Sequence, residues 1–195
     1  MTVTDVLRKK FKIILNAIST FLLKIGFTPN SVTLIGLAGT VAAAVLIAKG
    51  IYFYGGLIAA IMGVLDAVDG TMARLSGEPG KFGCLFDSLI DRYSESVLLF
   101  GFLLNFTSAQ NTFGIIMVYL ALCGSFLVSY IRARAGGLGL EVKIGILTRV
   151  ERSILLVISL LISRPIIGVV IIAVFGNLTA LQRFWYARSI IKESE

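Results

Sequence analysis

The chain has 195 residues, 57% hydrophobic and only 15% charged, a length that favours one domain. So apolar a composition, with a mean hydropathy of +0.93, excludes disorder and a water-soluble all-β fold, and the absence of histidine excludes histidine triads and histidine-ligated zinc. The net charge of +7 favours orientation in an anionic bilayer over nucleic-acid binding, so no nucleic-acid partner is expected.

Residues 1–25 are the first predicted element, an amphipathic helix. Apolar residues recur there at helical spacing, and basic residues cluster at positions 8, 9, 10 and 12. This pattern favours a helix that lies in the membrane interface, with an ordinary packed helix as the alternative. The charges interrupt any apolar run, which excludes a secretory signal peptide.

Six hydrophobic segments follow, each close to the roughly 20 residues that cross a bilayer. We place them at 31–48, 51–73, 82–105, 112–134, 144–163 and 165–188. The predicted fold class is therefore an all-α integral membrane protein with six transmembrane helices. It forms one domain over residues 1–195, in which the interfacial helix precedes a six-helix bundle over residues 31–188.

The positions of the basic residues predict the orientation of this bundle. With six spans, nearly all lysines and arginines fall on the side of the two termini, and only Lys49 and Arg164 fall on the other. By the positive-inside rule, both termini face the cytoplasm of a multi-pass protein in the cell membrane. The acidic residues collect on the same side, so the chemistry is expected there.

Four aspartates carry the strongest chemical signal. Asp66 and Asp69 are three residues apart and share one helix face, and Asp87 and Asp91 are four apart and share another. A short loop makes the two helices antiparallel neighbours, so all four carboxylates meet near the cytosolic end. Unpaired, they would repel one another strongly, whereas Mg²⁺, or else Mn²⁺, would neutralise them. The alternative is that they only form ion pairs with nearby basic side chains.

Small and basic residues beside these aspartates indicate a phosphate ligand. Gly70, Ala73 and Gly83 leave room for a ligand or a second backbone, and Arg74 supplies a cation for a phosphate. Together these features predict metal-assisted phosphoryl transfer at a membrane surface.

The motif Asp-x2-Asp-Gly-x2-Ala-Arg-x8-Gly-x3-Asp-x3-Asp, over residues 66–91, resembles the signature of the CDP-alcohol phosphotransferases at every fixed position. The resemblance implies six spans, an interfacial helix and a homodimer. It implies transfer of a phosphatidyl-type group from a CDP-linked lipid (CDP-diacylglycerol or CDP-archaeol) to an alcohol, with release of CMP. Such an enzyme belongs to phospholipid biosynthesis.

The resemblance also implies roles for single residues. Asp66, Asp69 and Asp87 would ligate the metals, while Asp91 would share in ligation and act as general base. Residues around the CDP moiety would be Gly70, Ala73, Arg74, Gly80 and Gly83, together with the segment Pro29, Asn30, Ser31, Val32 and Thr33. Gly80 departs from the family, which often has a hydroxyl residue there, so any contact would come from its backbone.

A second basic tract suggests the acceptor. Buried arginines at membrane ends favour anions, such as an acceptor that carries a phosphate. The tract resembles the phosphatidylinositol phosphate synthase branch, which implies that inositol phosphate is received by Ser129, Arg132 and Arg152. Arg183 or Arg188 at the same end of the last span would join them, and Arg188 is included in the predicted set. Alternatively, these arginines only follow the positive-inside rule.

Other functions remain open on the sequence alone. Phosphatidylglycerophosphate synthase, using glycerol phosphate, is the nearest rival, and a soluble CDP-inositol donor is a further possibility. A divalent-cation transporter would also place aspartates in spans, but the far side of the bundle offers no acidic relay. A membrane prenyl transferase uses aspartate-rich motifs of a different pattern.

Overall fold

The computed structural model describes residues 3–77 and 80–194, with the side chains of residues 11–77 and 80–193. Every regular element in these ranges is an α-helix, so the predicted all-α class is confirmed. The helices are α1 (Val3–Lys24), α2 (Pro29–Ala48), α3 (Tyr52–Leu75), α4 (Lys81–Ser108), α5 (Thr112–Gly137), α6 (Arg149–Leu161) and α7 (Pro165–Ser194).

Four of these helices, α2, α3, α5 and α7, are long and apolar enough to cross a membrane. They coincide with the first, second, fourth and sixth predicted segments. The prediction of a membrane protein therefore agrees with the structure. Of the two remaining segments, the third differs from these four in composition and the fifth in length.

Helix α4 contains the predicted third segment, 82–105, and has 28 residues, which corresponds to about 42 Å. Its charged residues all lie in its first 15 positions, at Lys81, Asp87, Asp91, Arg92 and Glu95. These charges explain why α4 is not among the four apolar helices, since charged side chains are costly in hydrocarbon.

Helix α6 is shorter than the predicted fifth segment, 144–163. It begins at Arg149 and has 13 residues, about 20 Å against a hydrocarbon thickness of about 30 Å. The residues before it are not helical because Gly145 has a φ of +147°, which a side chain rarely allows. Thr148 then caps the helix with extended backbone, and its hydroxyl donates to the Glu151 carboxylate.

The chain divides into two compact units, up to Gly101 and from Phe102 onward. In the first unit, α1 and α2 both pack on α3. A small apolar core joins these three helices and consists of Leu15, Val32, Val68 and Met72. The fully buried Ser19 adds a hydrogen bond, donating from Oγ to the Val68 carbonyl at 3.1 Å.

Helix α1 has two different faces. Leu15 and Ser19 face the core, whereas Phe11, Ile14 and Phe21 are exposed. These exposed residues form an apolar face, and the interfacial position of α1 stays a prediction. Its basic residues at positions 8–10 lie outside the described side chains.

The start of α2 is set by a capping box. Thr28 Oγ1 accepts from the Ser31 backbone N–H at 3.2 Å, and Ser31 Oγ accepts from the Thr28 N–H at 3.0 Å. Pro29 occupies the first turn, where its missing N–H costs nothing. This cap holds residues 28–30 at one end of the helix, where the candidate site lies.

In the second unit, α5 and α6 both pack on α7. The approach of α5 to α7 requires Gly124, because a Cβ there would lie 2.8 Å from the Asn177 backbone nitrogen. Asn177 Nδ2 donates to the Leu120 carbonyl at 2.9 Å, an interhelical bond of the kind that small residues permit in membranes.

The contact between α2 and α4 in the first unit yields a test. A Cβ at Gly101 would lie 2.6 Å from the Ala44 carbonyl oxygen, so Gly101→Ala should lower the free energy of unfolding by about 1–3 kcal/mol. At Gly63 a Cβ meets nothing within 4 Å, so Gly63→Ala should be neutral or stabilise by about 0.5–1 kcal/mol. Thermal unfolding in detergent measures both, and equal effects would contradict the close approach.

Candidate active site

Three of the four predicted carboxylates meet in the first unit. Asp66 and Asp69 lie three residues apart on α3, Asp87 lies on α4, and their carboxylate oxygens are within 4.8 Å of one another. Asp69 is only 4% exposed, and the other two are half-buried. Three like charges so close are strongly repulsive, and oxygen ligands alone suit a hard divalent cation such as Mg²⁺ or Mn²⁺. The side chains present therefore fit such an ion.

The fourth predicted carboxylate, Asp91, is also on α4. It follows Asp87 by one helical turn and is 8% exposed, with Oδ2 lying 3.8 Å from Nη2 of its neighbour Arg92. In the described residues, the three-carboxylate group does not include it. The spacing of Asp87 and Asp91 places both on one face of α4, and from the sequence alone it does not decide whether both belong to the group.

A cavity of about 520 Å³ opens beside the carboxylates, a volume typical of sites for small molecules. Asp69 and Asp87 line it together with eight of the ten residues predicted around the CDP moiety, namely Pro29, Asn30, Thr33, Gly70, Ala73, Arg74, Gly80 and Gly83. The cavity therefore lies between the ends of α2, α3 and α4.

Small residues keep this cavity open. Gly83 lies where a Cβ would be 3.9 Å from Asn30 Oδ1, and at Gly70 a Cβ would be 3.6 Å from Arg74 Nη1. The exposed Arg74 guanidinium is directed by Thr71, whose Oγ1 accepts from Nη2 at 2.8 Å. A cation held at the rim of a cavity that contains carboxylates suits a ligand that carries phosphate.

The structure places Ser31 and Val32 away from the cavity lining. The Ser31 hydroxyl is used in the capping box with Thr28, and Val32, 2% exposed, packs in the apolar core. Four further residues line the cavity: Thr28, Ser76, Phe82 and Cys84. Thr28 had a signal in the sequence, because a threonine directly before proline is a typical helix cap.

The predicted acceptor residues lie in the second unit, where three arginines form a cluster. Arg183 has Arg132, Arg152 and Glu151 as its charged neighbours. Arg152 and Arg183 are buried, whereas Arg132 is exposed. Arg132 also has Glu141 as a neighbour, so among these described groups three arginines face two carboxylates, and the remaining positive charge suits an anionic ligand.

Backbone carbonyls hold the two buried arginines. Arg183 donates from Nε to the Ile144 carbonyl at 2.8 Å and from Nη1 to the Val128 carbonyl at 2.7 Å. Arg152 donates from Nη1 to the Leu147 carbonyl at 3.3 Å. Both side chains therefore fix the non-helical residues before α6 as well as contributing charge.

The structure does not bring Arg188 into this cluster. Arg188 is exposed and stacks over the Trp185 ring at 5.1 Å, while Arg183, five residues earlier, takes the inward position. Thr179 lies four residues before Arg183 on the same face of α7. Thr179 is fully buried and accepts from the Leu147 N–H at 3.0 Å. Ser129 is half-buried and donates to the Ser125 carbonyl at 3.1 Å.

Comparisons with known proteins agree with this site. The profile of the CDP-alcohol phosphatidyltransferase family matches residues 27–187. The archaetidylinositol phosphate synthase of Pyrococcus horikoshii is 37% identical over 184 residues, which cover 93% of this chain and 95% of the relative. The phosphatidylinositol phosphate synthase of Streptomyces avermitilis is 34% identical over 157 residues, 78% of this chain and 63% of the relative.

Solved structures show the same fold. The phosphatidylinositol phosphate synthase of Mycobacterium tuberculosis with CDP-DAG bound superimposes with a TM-score of 0.82 and 30% identity, over 89% of this chain and 93% of that one. The same enzyme is known in complex with manganese and citrate, with a TM-score of 0.82 and 29% identity, over 89% of this chain and 88% of that one.

The chain belongs to the CDP-alcohol phosphatidyltransferase family. It is an enzyme of phospholipid biosynthesis that transfers a phosphatidyl-type group from a CDP-linked lipid to an alcohol and releases CMP. Both the resemblance and the prediction of a divalent metal cofactor are confirmed. An enzyme assignment also excludes the transporter as the main function.

The two arginines of α7 should differ in their effect on stability. Arg183→Leu removes the donors to the Ile144 and Val128 carbonyls, each worth about 1–3 kcal/mol when left unsatisfied. Arg188→Leu loses only an exposed cation–π contact of about 0.5–1 kcal/mol. Thermal unfolding in detergent compares the variants, and a larger loss for Arg188→Leu would contradict the placement of Arg183.

Proposed function

We propose that the alcohol acceptor is inositol phosphate, so that the product is a lipid-linked inositol phosphate. The arginine cluster of Arg132, Arg152 and Arg183 is the observation that carries this proposal, because it suits an acceptor with its own phosphate. The printed names of the relatives, archaetidylinositol phosphate synthase and phosphatidylinositol phosphate synthase, support the same acceptor.

The carboxylates of Asp66, Asp69 and Asp87 would hold the divalent metal, since their oxygens converge within 4.8 Å. When bound there, the metal would neutralise the charge of the pyrophosphate and of the departing CMP. Because Asp69 and Asp87 line the cavity, these carboxylates would hold the metal beside the bound nucleotide. Rigid helices would then keep the donor in a fixed orientation.

Around the metal ligands, the cavity residues would bind the CDP moiety. Arg74, directed by Thr71, would contact phosphate oxygens, and Gly70 and Gly83 would let the nucleotide approach the backbone. Gly80 would contribute only backbone contacts. Ser31 and Val32 would contribute indirectly, Ser31 through the helix cap and Val32 through the apolar core.

Asp91 would take the proton of the attacking hydroxyl. The acceptor oxygen would then bond to the lipid-bearing phosphorus as the bond from that phosphorus to the CMP oxygen breaks. A carboxylate is a weak base at neutral pH, so we expect charge stabilisation by the site to contribute more than proton transfer.

We also propose that α4 and the segment 144–163, of which α6 is the helical part, cross the membrane, which makes six spans in a single domain. The charged first half of α4 would lie at the cytosolic end with the other acidic residues, and both termini would face the cytoplasm. The exposed apolar face of α1 would lie in the interface. A homodimer in the cell membrane is the oligomeric state that the family suggests.

The acceptor is tested with purified enzyme, CDP-diacylglycerol or CDP-archaeol, and Mg²⁺, by measuring CMP release. Inositol phosphate should turn over faster than glycerol phosphate and much faster than unphosphorylated inositol, and EDTA should abolish release. Faster turnover of glycerol phosphate would identify the rival acceptor. Equal rates with the unphosphorylated alcohol would contradict a phosphate-binding role for the arginine cluster.

The role of Asp91 is tested by Asp91→Asn. Turnover should fall by about 10²–10⁴-fold, the usual contribution of a general base, while CDP-lipid binding is retained. Glu95→Gln removes a carboxylate one turn further along the same helix and should leave turnover near the wild-type rate. An Asp91→Asn enzyme that is as active as the Glu95→Gln enzyme would show that Asp91 is not the base.

A further inference from the structure

Thr33 forms a hydrogen bond with one of the clustered carboxylates. It is buried on α2, 7% exposed, and its Oγ1 donates to Asp69 Oδ2 at 2.8 Å. The partners are 36 residues apart in sequence, so this bond links α2 to the carboxylate-bearing face of α3. Within the described residues, Thr33 Oγ1 also lies 3.0 Å from the Pro29 carbonyl of its own helix.

The surroundings of this bond are tightly packed. Val32 and Val68, the residues directly before Thr33 and Asp69, are 2% and 1% exposed and belong to the same apolar core. Ser19 of α1 donates to the carbonyl of Val68, next to Asp69 in the chain. Neither bonding partner can therefore shift without disturbing a core in which three helices meet, so the hydroxyl holds Asp69 in one orientation.

From these contacts we infer that Thr33, which also lines the cavity, is a positioning residue for the metal site. Its hydroxyl donates to Oδ2 of Asp69 and so fixes the rotation of the carboxylate that lies near Asp66 and Asp87. Outer hydrogen-bond partners of metal ligands set ligand orientation and commonly contribute 10–100-fold in affinity. This inference rests on the proposed role of Asp69 as a metal ligand.

Thr40 offers a matched control on the same helix. It is also buried, 4% exposed, and its hydroxyl donates at 2.8 Å to the Gly36 carbonyl four residues earlier, the position that the Pro29 carbonyl has relative to Thr33. Thr33→Val and Thr40→Val therefore each remove a buried hydroxyl that lies beside a carbonyl of α2. Only Thr33→Val also removes the bond to Asp69.

The experiment measures Mn²⁺ affinity of the purified full-length protein by titration calorimetry and by the electron paramagnetic resonance signal of free Mn²⁺. We expect Thr33→Val to weaken Mn²⁺ binding by about 10–100-fold, Thr40→Val to bind as the wild type does, and Thr33→Ser to restore binding. Thr33→Ala replaces Thr33→Val if the latter does not fold. At low Mg²⁺, turnover of the Thr33 variant should fall and recover as the Mg²⁺ concentration rises.

The possible failures are distinguishable. If Asp69→Asn binds Mn²⁺ as tightly as the wild type, the proposed metal site itself is wrong. If Asp69→Asn loses binding but Thr33→Val matches Thr40→Val, the metal site stands and the inference about Thr33 is overturned. Loss of binding in Thr33→Val without recovery in Thr33→Ser would also overturn it, since the hydroxyl would then not be the cause.

Discussion

The repulsion among three carboxylates is the constraint on which the first half of this protein depends. Asp66, Asp69 and Asp87 are held within 4.8 Å although each would be better solvated apart. Two helices in a largely apolar environment force them together, and a divalent cation removes the repulsion. The folded arrangement is therefore prepared for its cofactor.

Much of this half could be predicted from the sequence because its chemistry is local. The spacing of Asp66 and Asp69 places them on one helix face, and the short connection to α4 makes Asp87 a neighbour. Most of the residues predicted around the CDP moiety line the cavity for the same reason. The exceptions depend on neighbours: Ser31 is used by a cap that needs Thr28, and Val32 is covered by the core that α1 completes.

The second half was less predictable, because there the outcome depends on contacts distant in sequence. Both Arg183 and Arg188 lie near the end of an apolar helix, and hydropathy alone does not separate them. What separates them is the non-helical stretch before α6, whose Ile144 carbonyl requires a donor that Arg183 supplies. Helix α6 starts later than the sequence predicts because Gly145, with a φ of +147°, adopts a backbone conformation that is not helical.

The division of the chain at Gly101 separates two kinds of chemistry. All three clustered carboxylates precede that point, and all three clustered arginines follow it. If the arginine cluster receives the acceptor, as proposed, substitutions in the carboxy-terminal half alone would change the alcohol that the enzyme accepts. The amino-terminal half, whose carboxylates and cavity would bind the cation and the nucleotide, would then stay unchanged. Proteins with this one fold would in this way come to differ in the headgroup that they attach.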